Sequence, residues 1–314
     1  MVTGGAGFLG SGLCHALGAL GADVVAFDAM LPGTGANAAN LAGSGARLVQ
    51  ADLREAELAP HVAGLDAVFN MAAQTSHAGS MADPFTDLGI NATAQLRLMA
   101  ALREASPKAV LVHASTRQFY GRPHYLPVDE KHPLTPPDAN GVSKLAGEQY
   151  WLMEGRVHGR PVVSLRLTNC YGPRMRVVDA RQTFLGIWFR RLLENEGFEV
   201  WGGEQLRDLA YLDDVVEAFL HAAETPSCAG QAFNIGGAAP VTLLQLADAA
   251  VAAHGGGAYD VRAFPAERAA IDIGSFHADD TAFRAATGWT PQVTLEEGLR
   301  RSLDWLRPRL AQYL

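Results

Sequence analysis

Three cysteines in 314 residues, Cys14, Cys170 and Cys228, fall in no metal-type spacing, and their odd number suits a reducing compartment. The sequence has no apolar run long enough to span a bilayer and no signal-peptide pattern, so neither a membrane nor secretion is expected. Cytoplasmic is the expected location. Basic residues are a minority: 25 Lys and Arg against 33 Asp and Glu give a net charge of −8, without a basic cluster. That balance argues against nucleic acid as the main partner. Internal repeats and low-complexity linkers are also missing. What remains is 48% apolar and 18% charged, the composition of a globular chain long enough for one large α/β unit or two modest domains.

Glycine is plentiful where it counts. Thr3-Gly4-Gly5-Ala6-Gly7-Phe8-Leu9-Gly10 follows a tiny apolar stub and precedes a helical run over 9–20. Such a turn lets backbone approach a pyrophosphate, and the following helix aims its amides and dipole at that anion. Gly4 serves the tight turn, Gly7 the close approach and Gly10 the packing of helix on strand. Only residues 1–3 precede the turn, against about five in an ordinary strand. Either the true start lies upstream or the first strand is unusually short, and intact mass of the natural protein decides.

Short β-rich runs then alternate with helical ones. Strands are expected at 24–28, 47–49, 66–70, 109–114 and 162–167, with a loop over 29–45. Asp28 closes its strand 18 residues after Gly10, a spacing that suits an acceptor for adenosine ribose hydroxyls or a plain strand end. An acid there repels a 2′-phosphate, which favours NAD over NADP. Asp52 either meets the adenine amino group or caps a helix. Helices are expected at 86–105, with Ile90, Leu96, Leu98, Met99 and Leu102 facing the core, and near 138–158, 180–195, 243–254 and 295–307. Trp188, Leu192 and Leu193 read as core, and Trp201 either stacks on a base or fills core.

With these pieces in order, the chain resembles the extended short-chain dehydrogenase/reductases, specifically the nucleotide-sugar epimerase/dehydratase family, over essentially its whole length. The resemblance rests on the Thr3–Gly10 turn, Asp28, Asp52-Leu53, Met71-Ala72-Ala73, Ser115-Thr116-Arg117-Gln118-Phe119-Tyr120-Gly121 and Ser143-Lys144. It continues through Leu165 to Pro173, Leu206 to Asp214 and Phe233-Asn234-Ile235-Gly236-Gly237. It implies a doubly wound parallel sheet, with residues 1–168 and about 209–238 holding NAD. Residues 169–208 and 239–314 would form a smaller part for a nucleotide sugar. It also implies cofactor contacts from Gly4, Gly7, Phe8, Leu9, Asp28, Asp52, Leu53, Ala72, Ala73 and Lys144, and no metal. Asn169, Arg207 and Arg268 would bind the sugar nucleotide, and helices 86–105 and 138–158 would form a homodimer interface.

Two departures carry the functional question. The family pairs a catalytic Tyr with a Lys four residues later; here the segment reads Asn140-Gly141-Val142-Ser143-Lys144. An amide accepts no proton at useful pH; it only orients a hydroxyl. Lys144 is then either a direct base, its pKa drawn down by burial, or the usual partner of the nicotinamide ribose. Thr116 is expected to touch the reacting hydroxyl. His77 and His113 flank the site, and Tyr120, Tyr125 and Tyr171 are other phenols to weigh. The second departure puts Arg117 and Gln118 where dehydratases carry an Asp-Glu pair, which disfavours 4,6-dehydration. Arg117 either recognises a carboxylate or phosphate or lies on the surface. The leading expectation is an NAD-dependent nucleotide-sugar epimerase working at C4 through a transient keto sugar with an atypical base. The alternatives are a non-catalytic member that only binds NAD or a nucleotide sugar, and an atypical dehydratase or oxidoreductase.

Overall fold

The opening residues pair on both sides at once: Val2 and Thr3 lie between Ala26 and Phe27 on one flank and Phe69 and Asn70 on the other. The computed structural model from which this follows describes residues 1–179, 183–265 and 270–314. In chain order the strands are β1 (Val2–Thr3), β2 (Val25–Asp28), β3 (Arg47–Gln50), β4 (Ala67–Asn70), β5 (Val110–Thr116) and β6 (Val162–Leu167). There follow β7 (Asn169–Tyr171), β8 (Phe198–Trp201), β9 (Leu206–Arg207), β10 (Leu209–Tyr211), β11 (Gln231–Ile235), β12 (Val241–Thr242) and β13 (Tyr259–Arg262). Seven of them form one parallel sheet in the order β11-β6-β5-β4-β1-β2-β3. The strand order reverses between β1 and β4, and ligands of doubly wound sheets sit outside the carboxyl ends of the strands at such a point.

Both faces of the sheet are covered, as an all-parallel sheet requires. On one, the Phe8–Ala19 and Leu212–Glu224 helices bury Leu13, Cys14, Leu212, Val215 and Phe219 against Val112 and Leu165. On the other, Ala94–Ala105 and Ala139–His158 bury Leu98, Met99, Leu102 and Trp151 against Val68 and Leu111. The expected 86–105 helix is present but interrupted: α-turns run over Pro84–Leu88 and Ala94–Ala105 with a π-turn at Gly89–Thr93 between them. A π-turn widens the ladder by one residue. Asn91, on that turn, donates its amide to the Gln74 carbonyl and to Asp87. Leu98, Met99 and Leu102 are core as expected, whereas Leu96 is exposed and Ile90 is half-buried on the cavity wall, because the π-turn rotates the face that meets the sheet.

Beyond β6 the chain leaves the sheet, returns, and leaves again. These passages meet near Asp208. Thr168 Oγ1 donates to the Asp208 carbonyl at 2.8 Å, and the Asp208 carboxylate accepts from the amides of Gly237 at 2.7 Å and Ala278 at 3.0 Å. β7 and β10 lie side by side in parallel just beyond it, and β9–β12 and β8–β13 form two further ribbons. Trp188 and Leu192 are core there, and Leu193 packs at its edge.

Candidate active site

A single cavity of about 1670 Å³ opens at the carboxyl edge of the sheet. Pockets for one drug-sized ligand hold roughly 300–1,000 Å³, so this one has room for a dinucleotide and a second ligand. Each residue expected to touch cofactor lines it, as do Thr116, Asn140, Arg117, Asn169 and Arg207. Arg268 lies outside the described residues.

The turn after β1 fits a dinucleotide. Gly4 sits at φ +62°, where a Cβ would stand 2.9 Å from the Ala72 amide nitrogen. A Cβ on Gly10 would come within 2.1 Å of the Gly4 carbonyl oxygen, so the helix start presses directly on the turn. Gly7 caps that helix with no side chain on its amides, and its first turn holds no acid, which leaves amides and dipole for an anion. Asp28 accepts from the Ala6 and Met30 amides at 3.0 and 2.9 Å. Burial pushes its carboxyl up and these two donors oppose the rise; the residue lines the cavity, and its carboxylate keeps acceptor capacity for ribose hydroxyls. Asp52 lines the cavity and opens a turn rather than a helix. It accepts the Arg54 amide at 2.8 Å in that turn, and the Arg54 guanidinium folds onto it at 2.6 Å, which outweighs burial and holds its carboxyl low.

At the reacting end, Asn140 stands at the start of the Ala139–His158 helix, whose N-cap is Asp138. Its amide nitrogen donates to the Gln74 carbonyl at 2.8 Å and to Asp87 Oδ2 at 2.9 Å. Both partners are acceptors, so the orientation of the amide is fixed and both of its protons are committed. Lys144, one helical turn on, is buried at the cavity wall; desolvation draws its pKa down to about 8 against a raising charge from Asp87. Thr116 Oγ1 accepts from the Gln118 amide at 3.1 Å, leaving its own proton uncommitted toward the cavity.

The other phenols and imidazoles sort themselves by position. None of the seven tyrosines lines the cavity. Tyr120 is buried, donating to Asn234 and accepting from Arg166, and burial pushes its phenol up to about 12. Tyr171 is buried with its phenol pushed up, first by desolvation, and exposed Tyr125 bonds Asp129. His113 is enclosed in the sheet, and burial with the nearby Lys144 charge brings it down to about 3. Its tautomer follows from a chain of bonds: Trp151 donates to Gln95 Oε1, Asn70 Nδ2 donates to the same oxygen, and that nitrogen also meets His113 Nδ1. Nδ1 is therefore the acceptor. His77 does line the cavity.

The far end is cationic. Arg117 is half-buried, donates one Nη to Asn169 Oδ1 at 2.8 Å and stacks 5.0 Å from the Phe276 ring centroid. Its other Nη is buried without a hydrogen bond. Desolvation, with the Arg207 charge, draws it down to about 10. Arg207, which is buried, is held by the Leu206 and Gly274 carbonyls and lies 3.5 Å from Asp272. Two guanidinium groups on one wall, one with a donor unspent, are a receptor for phosphate or carboxylate oxygens. Trp201 stands half-buried on the same cavity.

A model of the NAD-dependent epimerase/dehydratase family matches residues 1–236. The chain belongs to that family. A UDP-glucose 4-epimerase from Mycolicibacterium smegmatis is 32% identical over 311 residues, covering 98% of each chain. The structure of UDP-glucose 4-epimerase from Thermotoga maritima with UDP-glucose matches with a TM-score of 0.88 at 29% identity, over 98% of each chain. That of the Thermus thermophilus UDP-glucose 4-epimerase in complex with NAD gives 0.86 at 28% identity, again over 98% of each. The chain is thus an enzyme of an NAD-dependent family, with the fold of its epimerases.

Within that family frame, sequence reading missed the polar group around Asn140: half-buried Gln74 and buried Asp87 and Asn91. Asp87 is fully buried with Oδ1 unpaired. It also missed the tie between His77 and Asp138. Asp138 carried one local signal, a carboxylate just before a helix; the others are joined by contacts across dozens of residues.

Proposed function

We propose that the enzyme is a nucleotide-sugar epimerase acting at C4 through a transient keto sugar. The observation that carries the reading is the shared cavity: the glycine turn at one end, Thr116 and Lys144 in the middle, Arg117 and Arg207 at the other. NAD, when bound, takes the hydride and gives it back. Gly4, Gly7, Phe8, Leu9, Asp28, Asp52, Leu53, Ala72 and Ala73 hold it in this reading, and Lys144 bonds the nicotinamide ribose. Thr116 aligns the C4 hydroxyl, Asn140 positions its helix against Gln74 and Asp87, and Asn169, Arg117, Arg207 and Arg268 take the diphosphate and sugar. Residues 1–168 and about 209–238 form the cofactor part, and 169–208 with 239–314 the sugar-nucleotide part.

Exposed Phe85, Leu88 and Leu96 on one helical stretch and Val142, Tyr150 and Val157 on the next support a homodimer through these two helices. No helix among the described residues is long and apolar enough to cross a membrane, which accords with a cytoplasmic enzyme. The test is a panel of nucleotide hexoses and uronic acids, each deuterated at C4. A 4-epimer that retains its deuterium, with reduced nicotinamide appearing transiently, is the expected result.

One observation favours a second reading, a family member that binds without turnover: the amide at the Tyr position has no proton to give a substrate. Tight binding of a sugar nucleotide with no conversion of any would support it and sink the first.

A further inference from the structure

We infer that His77, aligned by Asp138, accepts the proton of the reacting hydroxyl in place of the family's tyrosine; this rests on the epimerase reading. His77 opens the short helix His77–Ala82, and its ring is part of the cavity wall, with a side chain 43% exposed. Asp138 is fully enclosed behind it. Asp138 Oδ2 lies 2.9 Å from His77 Nδ1 and accepts from Gln118 Nε2 at 2.8 Å, while Oδ1 accepts the Gly141 amide at 2.7 Å. The Nδ1 approach is off-line for a full hydrogen bond, a misalignment common before substrate arrives.

The protonation pattern follows from chemistry. Burial pushes the Asp138 carboxyl up, but His77, Gly141 and Gln118 outweigh it and hold it below the usual range. An ionised carboxylate only accepts, so the neutral imidazole places its proton on Nδ1 and its lone pair on Nε2. Nδ1 is enclosed, so the exposed part of the ring carries Nε2 to the cavity. A base oriented by a buried carboxylate is the arrangement of hydrolytic triads, here without the serine.

The dyad is also tied to the rest of the site. Gln118, which holds Asp138, gives its backbone amide to Thr116 Oγ1. Ser80 donates to the His77 carbonyl at 2.7 Å and accepts the Asn140 amide at 3.1 Å. His77 is therefore linked to Thr116 through Asp138 and Gln118, and to the Asn140 backbone through Ser80. In the step, the O–H bond breaks with its proton passing to Nε2, and the C–H electron pair leaves as hydride for the NAD that the family supplies. The carbonyl forms, the sugar is oxidised by two electrons, and the return of hydride and proton on the other face restores both. Lys144 stays the neighbour of the cofactor.

The test uses His77→Ala and His77→Gln in the NAD-loaded full-length protein. Turnover should fall by about 10²-fold or more with KM little changed, and imidazole added to His77→Ala should restore part of it. The same imidazole should do nothing for Lys144→Ala. A separate readout needs no turnover: UDP-glucose should shield His77 from diethyl pyrocarbonate, followed by mass mapping. Wild-type turnover in both variants, absence of imidazole rescue, or an unshielded His77 overturns the proposal and leaves the epimerase reading standing. An unmutated protein that converts no sugar overturns both.

Discussion

Asn140 donates to Asp87 across 2.9 Å, so the residue in the family's tyrosine place is bound to a carboxylate with no solvent exposure. Asn140→Asp would set two carboxylates against each other there. A buried charge without its partner costs roughly 3–5 kcal/mol. Such a pair has a folded-state pKa above its unfolded value, so the penalty is complete at neutral pH and is relieved as pH falls through the raised value. Urea melts of the variant should show a large loss of stability at pH 7.5 and a smaller one at pH 5.5. An equal loss at both would count against repulsion between the two carboxylates.

Lys144 gives the opposite slope. Burial holds its folded pKa at about 8, below the 10.5 of the free group. Between those values the unfolded chain binds the extra proton, so wild-type stability rises with pH across that window. Relative to Lys144→Met, wild type should gain up to ~3 kcal/mol from pH 8 to 10.5. Parallel denaturant curves that keep a constant gap would place the ammonium in water.

Arg117→Met separates binding from folding. One Nη of the half-buried guanidinium is enclosed with its donors unspent, and an apolar replacement for such a charge is often neutral or stabilising. Melting temperature should hold or rise, while affinity for UDP-glucose falls about tenfold or more, the worth of a charged hydrogen bond. Calorimetric titration with unchanged affinity would remove Arg117 from the substrate wall.

Gly10→Ala tests the turn. The added methyl meets backbone, the Gly4 carbonyl at 2.1 Å, and cannot be absorbed by a rotamer change. The protein should purify without NAD and take it up at least tenfold more weakly, which denaturation and absorbance of the released cofactor would measure. Full occupancy would show that the helix start can retreat without loss.

The frame was legible because its signals are local. Strand 162–167 and helix 243–254 come out as Val162–Leu167 and Leu243–His254, since an apolar run and a bounded periodic stretch specify them without help. Asp28 and the glycine turn were legible for the same reason. The interruption at Gly89–Thr93 was not, because what it accommodates is Asn91 reaching Gln74, 17 residues away. The partners of Asn140 lie 53 and 66 residues off, and polar pairs of that separation leave no periodicity to read. The chemistry of this site is long-range, and the scaffold that carries it is short-range.

The stitching around Asp208 governs traffic through the chamber. A wall attached by one strand can swing; one attached by several, bonded to one another through Thr168, Asp208 and Gly237, has no axis to turn about. The two walls of the chamber are fastened to each other at Asp208 rather than joined by a lone hinge. In the epimerase proposed above, a sugar that shows first one face and then the other would turn over between these joined walls.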